Sequence, residues 1–218
     1  MEKYNLDDKG GLFKFNVKNP SKVVKQGDGI EFKHFSIFNF TKASVLNVTD
    51  STVKIQLNEK LSNPEFSAGD HVILYYRPSK DFYVVTAEIS SIDKNDPLEL
   101  TLFVHKIEKA KDLVKEKKCC VSYPATVKII GVPEGKFAAI KLISFGGVKM
   151  NCREDILMED IIDITINTDK SNKLSFKGRV VRKNKLDNIN EYGIEFSELT
   201  ESNSKLLTRI MYEFESIA

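Results

Sequence analysis

Apolar and polar residues alternate along most of this chain with the period of a β-strand. Thr52-Val-Lys-Ile-Gln-Leu57 sets Val53, Ile55 and Leu57 on one face and polar side chains on the other, the pattern of a half-buried strand. Ala43-Ser-Val-Leu-Asn-Val48 lies just upstream, and Asp50-Ser51 between the two supplies turn chemistry, so the pair predicts a hairpin. Further strands are predicted over 71–76, 82–89 and 98–104, separated by the turn-like stretches 77–81 and 93–97. The pattern restarts past residue 118, with strands over 126–130, 136–143, 161–166, 174–181 and 192–196 and turns at 131–135, 168–172 and 184–190. Many short strands at such spacing predict antiparallel barrels or sandwiches. The chain closes differently: Leu206, Leu207, Ile210, Met211 and Phe214 recur at helical spacing, which predicts an amphipathic helix. The fold class expected is all-β, with two β-barrels in tandem and a C-terminal helix packed on the second.

One segment interrupts the strand rhythm. Residues 106–118 hold six lysines and three acids, a net charge of +3. Ile107, Ala110, Leu113 and Val114 fit one helical face, and an extended, solvated linker fits equally. The composition shift puts the domain boundary here, giving domains 1–112 and 113–218. The halves show no internal repeat and are read as different β modules. Residues 1–25 are weakly patterned. Phe32, Phe35, Phe38 and Phe40 are expected in the core of the first barrel; exposed, they would form an aromatic docking patch.

Composition removes several function classes. Thirty-three basic residues against thirty-one acidic ones leave no overall field for a dedicated nucleic-acid binder, so DNA is not an expected partner. The first eight residues contain acids and no apolar run, unlike a signal peptide, and no stretch of 18 apolar residues occurs. A cytoplasmic protein that is not membrane-embedded is expected. Cys119, Cys120 and Cys152 make an odd count without metal-ligand spacing, and His34, His71 and His105 are far apart in sequence, so neither a disulfide framework nor a metal site is predicted. Nucleophile motifs are missing too: Leu142 stands where a Gly-x-Ser-x-Gly elbow around Ser144 would need glycine. No enzymatic activity and no cofactor are expected.

Three short runs carry the sharpest signal: Ser144-Phe-Gly-Gly-Val-Lys-Met150, Lys177-Gly-Arg-Val-Val-Arg182 and Tyr192-Gly-Ile-Glu-Phe196. In order and spacing, the chain from about 117 to its end resembles a PilZ domain, the common bacterial receptor for cyclic di-GMP. The first half resembles the N-terminal barrel of flagellar-brake (YcgR-like) proteins, chiefly by its place ahead of such a domain. The family carries an Arg-x-x-x-Arg motif before its first strand and an Asp/Asn-x-Ser-x-x-Gly motif after the next. Laid on this chain, Lys118 and Ser122 stand where the two arginines would be, Leu142 stands at the acidic position, and Ser144 and Gly147 keep theirs.

The replacements change the chemistry. A guanidinium grips phosphate or a guanine edge bidentately and stacks on bases, whereas an ammonium is a point charge and a leucine accepts no hydrogen bond. Each lost bidentate pair removes about 1–3 kcal/mol, so two weaken binding by about thirty-fold to ten-thousand-fold. The resemblance implies a non-enzymatic signalling adaptor of the cyclic di-GMP pathway, flagellar-brake-like, with weak or lost direct nucleotide binding. The ligand residues it implies are Lys117, Lys118, Ser122, Ser144 and Gly147. It implies an output on a protein partner such as the flagellar motor or another membrane machine. The alternative is a nucleotide-independent scaffold for a protein partner or for a second copy of the chain in a homodimer.

Overall fold

In a computed structural model the described residues are 19–37, 39–59, 65–94, 96–186 and 189–218. They form two closed six-stranded antiparallel barrels in tandem, followed by a terminal helix. The first barrel comprises β1 (Gly29–His34), β2 (Thr41–Val48), β3 (Thr52–Leu57), β4 (His71–Tyr76), β5 (Tyr83–Asp93) and β6 (Glu99–Lys109), in the order β1-β2-β3-β6-β5-β4. A short helix, α1 (Ala110–Lys115), links it to β7 (Lys118–Ile129), β8 (Lys136–Ser144), β9 (Gly147–Cys152), β10 (Ile161–Asn167), β11 (Lys173–Leu186) and β12 (Ile189–Glu198). This second barrel closes as β10-β11-β12-β9-β8-β7, and α2 (Glu201–Ile217) packs on it through Leu207, Ile210, Met211 and Phe214. Closure leaves neither sheet with a free edge. Among the described residues no helix is long and apolar enough to cross a membrane.

The alternating runs behave as their period requires. In β3, Val53, Ile55 and Leu57 point into the first core while the residues between them face outward. Two runs break alternation, and both breaks locate the junction between the barrels. All six residues of β4 are buried: Val72, Leu74 and Tyr76 face the first barrel's interior, while Ile73 and Tyr75 join the core of the second. At the start of β7, Cys119, Cys120, Val121 and Ser122 are likewise all buried. A strand apolar on both faces is one covered on both faces. Ala110 and Leu113 of α1, Phe82 just before β5 and Val84 within it extend the same shared core.

The 106–118 segment divides between two states. β6 continues to Lys109, and only 110–115 is helical, so the boundary drawn at 112/113 falls inside α1. β7 starts at Lys118, eight residues before the strand read from the sequence, because Lys118 to Cys120 pair with β8, and Val121 and Ser122 lie in a register break beyond them where Ser122 bonds to His71 of β4. Of the four phenylalanines, Phe32 is fully buried in the first core. Phe35 is half-buried and sits 5.1 Å from Phe137 of the second barrel, and Phe40 is exposed but stacks on Tyr75 at 4.2 Å. Phe38 lies outside the described residues, as do the first eighteen positions.

Candidate functional site

The corner where α1 runs into β7 gathers most of the residues singled out by sequence. Lys117 follows the last turn of α1 with a left-handed backbone (φ 52°), and its N–H donates to the Val114 carbonyl at 2.9 Å. This is the usual way to end a helix, with lysine where glycine is commoner. The turn leaves Lys117 exposed and delivers Lys118 as the first residue of β7. Lys118 pairs in register with Ser144, the last residue of β8, so the two motif positions meet across one rung of the sheet. The Ser144 hydroxyl donates to the Gly147 carbonyl at 3.1 Å, bracing the Phe145-Gly146 turn into β9.

Gly147 has a packing reason to be glycine. A Cβ there would overlap the Ile194 carbonyl oxygen of β12 and lie 3.0 Å from its carbon and 3.1 Å from the Glu195 Cα. These are backbone atoms of a paired strand, which cannot swing aside as a side chain can. Gly178, opposite Phe196 in the β11–β12 ladder, is similarly crowded by the Ile194 side chain. Gly193 lies opposite Arg182, whose Cβ would stand 3.1 Å from an added Cβ, so one glycine in each signature run, Gly147, Gly178 and Gly193, allows close approach between β9, β11 and β12.

Beside this corner opens a cleft of about 300 Å³, lined by Lys117, Lys118, Phe145, Tyr212, Glu215 and apolar residues of α1 and α2. Phe145 is 47% exposed and Tyr212 63%. Sequence reading passed over both rings. Phe145 is a large apolar residue in a turn, and Tyr212 lies off the apolar stripe of α2, so each carried a signal of an exposed aromatic. Their convergence on one cleft depends on the docking of α2 and was not visible in either. Two ammonium groups and two exposed rings form an arrangement that attracts anions and stacks flat bases.

Charges nearby are already partly matched. The Lys118 ammonium lies 2.9 Å from the Glu116 carboxylate. Glu191 sits between Lys141 at 3.0 Å and Lys149 at 3.3 Å. Burial would push its carboxyl up, but the two ammonium groups outweigh that and hold it below its ordinary value. Lys117 has no ion-pair partner among the described residues, which makes it the cation most available at this corner. Arg179 is held by Glu195 at 2.7 Å and Glu159 at 3.5 Å on the outer face of the barrel.

Ser122 is placed elsewhere. It is fully buried at the junction, where its hydroxyl donates to the His71 carbonyl across the barrels at 3.1 Å. Leu142 is half-buried and presents only an apolar side chain. The histidines isolated in sequence acquire neighbours in the fold. His34 Nε2 faces Asp70 at 3.2 Å, and its Nδ1 lies 2.7 Å from the Ser36 hydroxyl. The Ser36 N–H also donates to that Nδ1, at 3.0 Å. Nδ1 is thus the ring's acceptor, and its contacts with the Ser36 N–H and hydroxyl brace a local turn. His105 pairs with Glu88 at 3.0 Å on the surface. The three thiols are buried; burial pushes Cys119 far up and Cys120 up to about 12, so neither is a nucleophile at neutral pH.

Comparison with known proteins agrees with the reading of the second half. Residues 115–213 match the model of the PilZ domain. None of the curated proteins matches the chain. Similar solved structures include the Bacillus subtilis inhibitor of motility MotI/DgrA, 10% identical, over 88% of this chain and 98% of that one with a TM-score of 0.41. YcgR from Escherichia coli, in complex with c-di-GMP, is 12% identical over 93% of each chain with a TM-score of 0.39. MrkH from K. pneumonia, also in complex with c-di-GMP, is 10% identical over 86% of each with a TM-score of 0.39.

Proposed function

From the match of residues 115–213 to the PilZ domain we propose that the chain is a flagellar-brake-like signalling adaptor of the cyclic di-GMP pathway, taking the nucleotide weakly at the α1–β7 corner. The observation that carries this reading is the single rung Lys118–Ser144. It holds the lysines at the arginine motif against the turn kept from the second motif, and both front a cleft with Phe145 and Tyr212 on its wall. In this reading Lys117 and Lys118 attract phosphate, and the rings take over the base stacking that arginine would supply, worth about 1–3 kcal/mol per base. Ser144 and Gly147 shape the turn. Ser122 acts from the junction, tying the arginine-motif strand to the first barrel. The role is non-enzymatic and cytoplasmic. Domains 1–112 and 113–218 change their relation when the corner is occupied, and a protein partner such as the flagellar motor or another membrane machine reads that change.

Calorimetric titration with cyclic di-GMP at low and at physiological salt tests this. Saturable binding is expected that weakens steeply with salt, because ammonium–phosphate attraction is screened. Lys117→Ala with Lys118→Ala should weaken it further and flatten the salt dependence, and Phe145→Ala should weaken it at both salts alike. Unchanged affinity in the double lysine variant would move the site away from this corner.

A second reading, a nucleotide-independent scaffold, is favoured by other details. Lys118 already has a counter-ion in Glu116, the Ser122 hydroxyl is engaged by His71, and Leu142 offers no acceptor for a guanine edge. The barrels would then hold a partner, or a second copy of the chain, in a fixed geometry. No heat at either salt, together with a dimer in sedimentation, is the outcome this reading expects.

A further inference from the structure

A second cavity, of about 210 Å³, lies at the junction of the barrels under α2. Tyr75 from the first barrel, Tyr123 from β7, and Ile210 and Phe214 from α2 form its apolar wall. Lys33 of β1 lines it as well, although that residue is only 4% exposed. The Lys33 ammonium donates to the carbonyls of His34 and Ile37 and lies 5.7 Å from the centroid of the Tyr123 ring. Among the described residues no carboxylate stands within ion-pair distance of it. Glu213 lines the same cavity but pairs with Arg209 at 3.5 Å.

A buried ammonium with two carbonyls and no counter-ion is incompletely compensated. Burial alone lowers its pKa to about 8, which still leaves it mostly charged at neutral pH. Beside it lies a space with aromatic walls and room for a small molecule. An engineered apolar cavity of about 150 Å³ admits benzene. The space here takes a benzene-sized body with a carboxylate added, and is too small for two guanines and two phosphates.

We propose that this cavity is a binding site for a small organic monoanion, an aromatic or short-chain carboxylate, whose charge pairs with Lys33 and whose body packs against Tyr75, Tyr123 and Phe214. The site is distinct from the α1–β7 cleft and does not rest on the nucleotide reading. Its walls belong to both barrels and to α2, so an occupant stiffens the junction directly.

Benzoate is the probe and benzyl alcohol its uncharged counterpart, each titrated into the full chain and followed by amide chemical shifts at pH 7. Benzoate is expected to bind saturably, shifting amides around Lys33, Tyr75 and Tyr123, with the alcohol weaker by about ten-fold or more because it leaves the ammonium unpaired. Lys33→Met should remove the preference for the anion. Ile210→Phe, which fills the cavity and keeps the lysine, should abolish binding of both. Equal binding of alcohol and acid, full benzoate binding by Lys33→Met, or no saturable benzoate binding by the unaltered chain would each overturn the proposal. If Lys33→Met fails to fold, the acid-against-alcohol comparison in the unaltered protein decides.

Discussion

Gly147→Ala separates a glycine kept for ligand from a glycine kept for packing. The new Cβ would enter the Ile194 carbonyl oxygen and press on the Ile194 carbon and Glu195 Cα at 3.0 and 3.1 Å. Relief requires β9 to move off β12, and Gly147 pairs with Glu195 at the end of that ladder. Overpacking of this kind costs about 1–3 kcal/mol, and loosening one ladder hydrogen bond adds about 1 kcal/mol. The sum is about 2–4 kcal/mol, and with a urea m-value of about 2 kcal/mol/M the midpoint should fall by about 1–2 M. The neighbouring glycine is the control: a Cβ on Gly146 meets nothing within 4 Å, so Gly146→Ala should stay within about 0.5 kcal/mol of the parent. The chain has no tryptophan, so urea unfolding is followed by circular dichroism. Equal midpoints for the two variants would refute the argument, because β9 and β12 would then not approach as closely as described, and the motif glycine would need another explanation.

Other outcomes follow from the junction. Ser122→Ala leaves the His71 carbonyl unpaired between the barrels, which should destabilise by about 1–3 kcal/mol and speed proteolysis within α1; unchanged melting would mean that the bond is replaced by water. Lys33 has a folded pKa of about 8, below its ordinary 10.5, so the unfolded chain binds more protons between these values and stability should rise with pH across that window. The full penalty is present below pH 8. Lys33→Met lacks this term, so the stability difference between it and the parent should change by up to about 3 kcal/mol from pH 8 to 10.5; a constant difference would place the ammonium in water. Cys119 and Cys120 should react with a disulfide reagent at pH 8 about a thousand-fold more slowly than in urea, since a thiol at about 12 carries almost no thiolate; rapid native reaction would mean the junction opens.

Much of this architecture is written in local periodicity. Alternation of apolar residues over 52–57 or 161–166 states that a strand has one wet and one dry face, and the stripe of α2 says the same of a helix. Glycines in three runs at family spacing identified the second barrel before any coordinate did. The junction was legible too, had the continuous apolar run of 71–76 been read as a strand covered on both sides.

What the sequence could not supply is which faces meet. Period two says that Ile73 and Tyr75 point away from the first core, yet not that the second barrel's Cys119 and Cys120 cover them. Ser122 looked like a motif position and proved to be a tie to His71, because the β7–β4 contact joins residues fifty-one apart in sequence. Lys33 sits in a polar-looking run, and only closure of β1 against β4, with β7 and α2 packed beyond, removes it from water. Phe145 and Tyr212 share a cleft only because α2 folds back over the start of β7. Local pattern determines what each segment buries; long-range packing determines against what, and the candidate sites of this chain lie where separate segments meet.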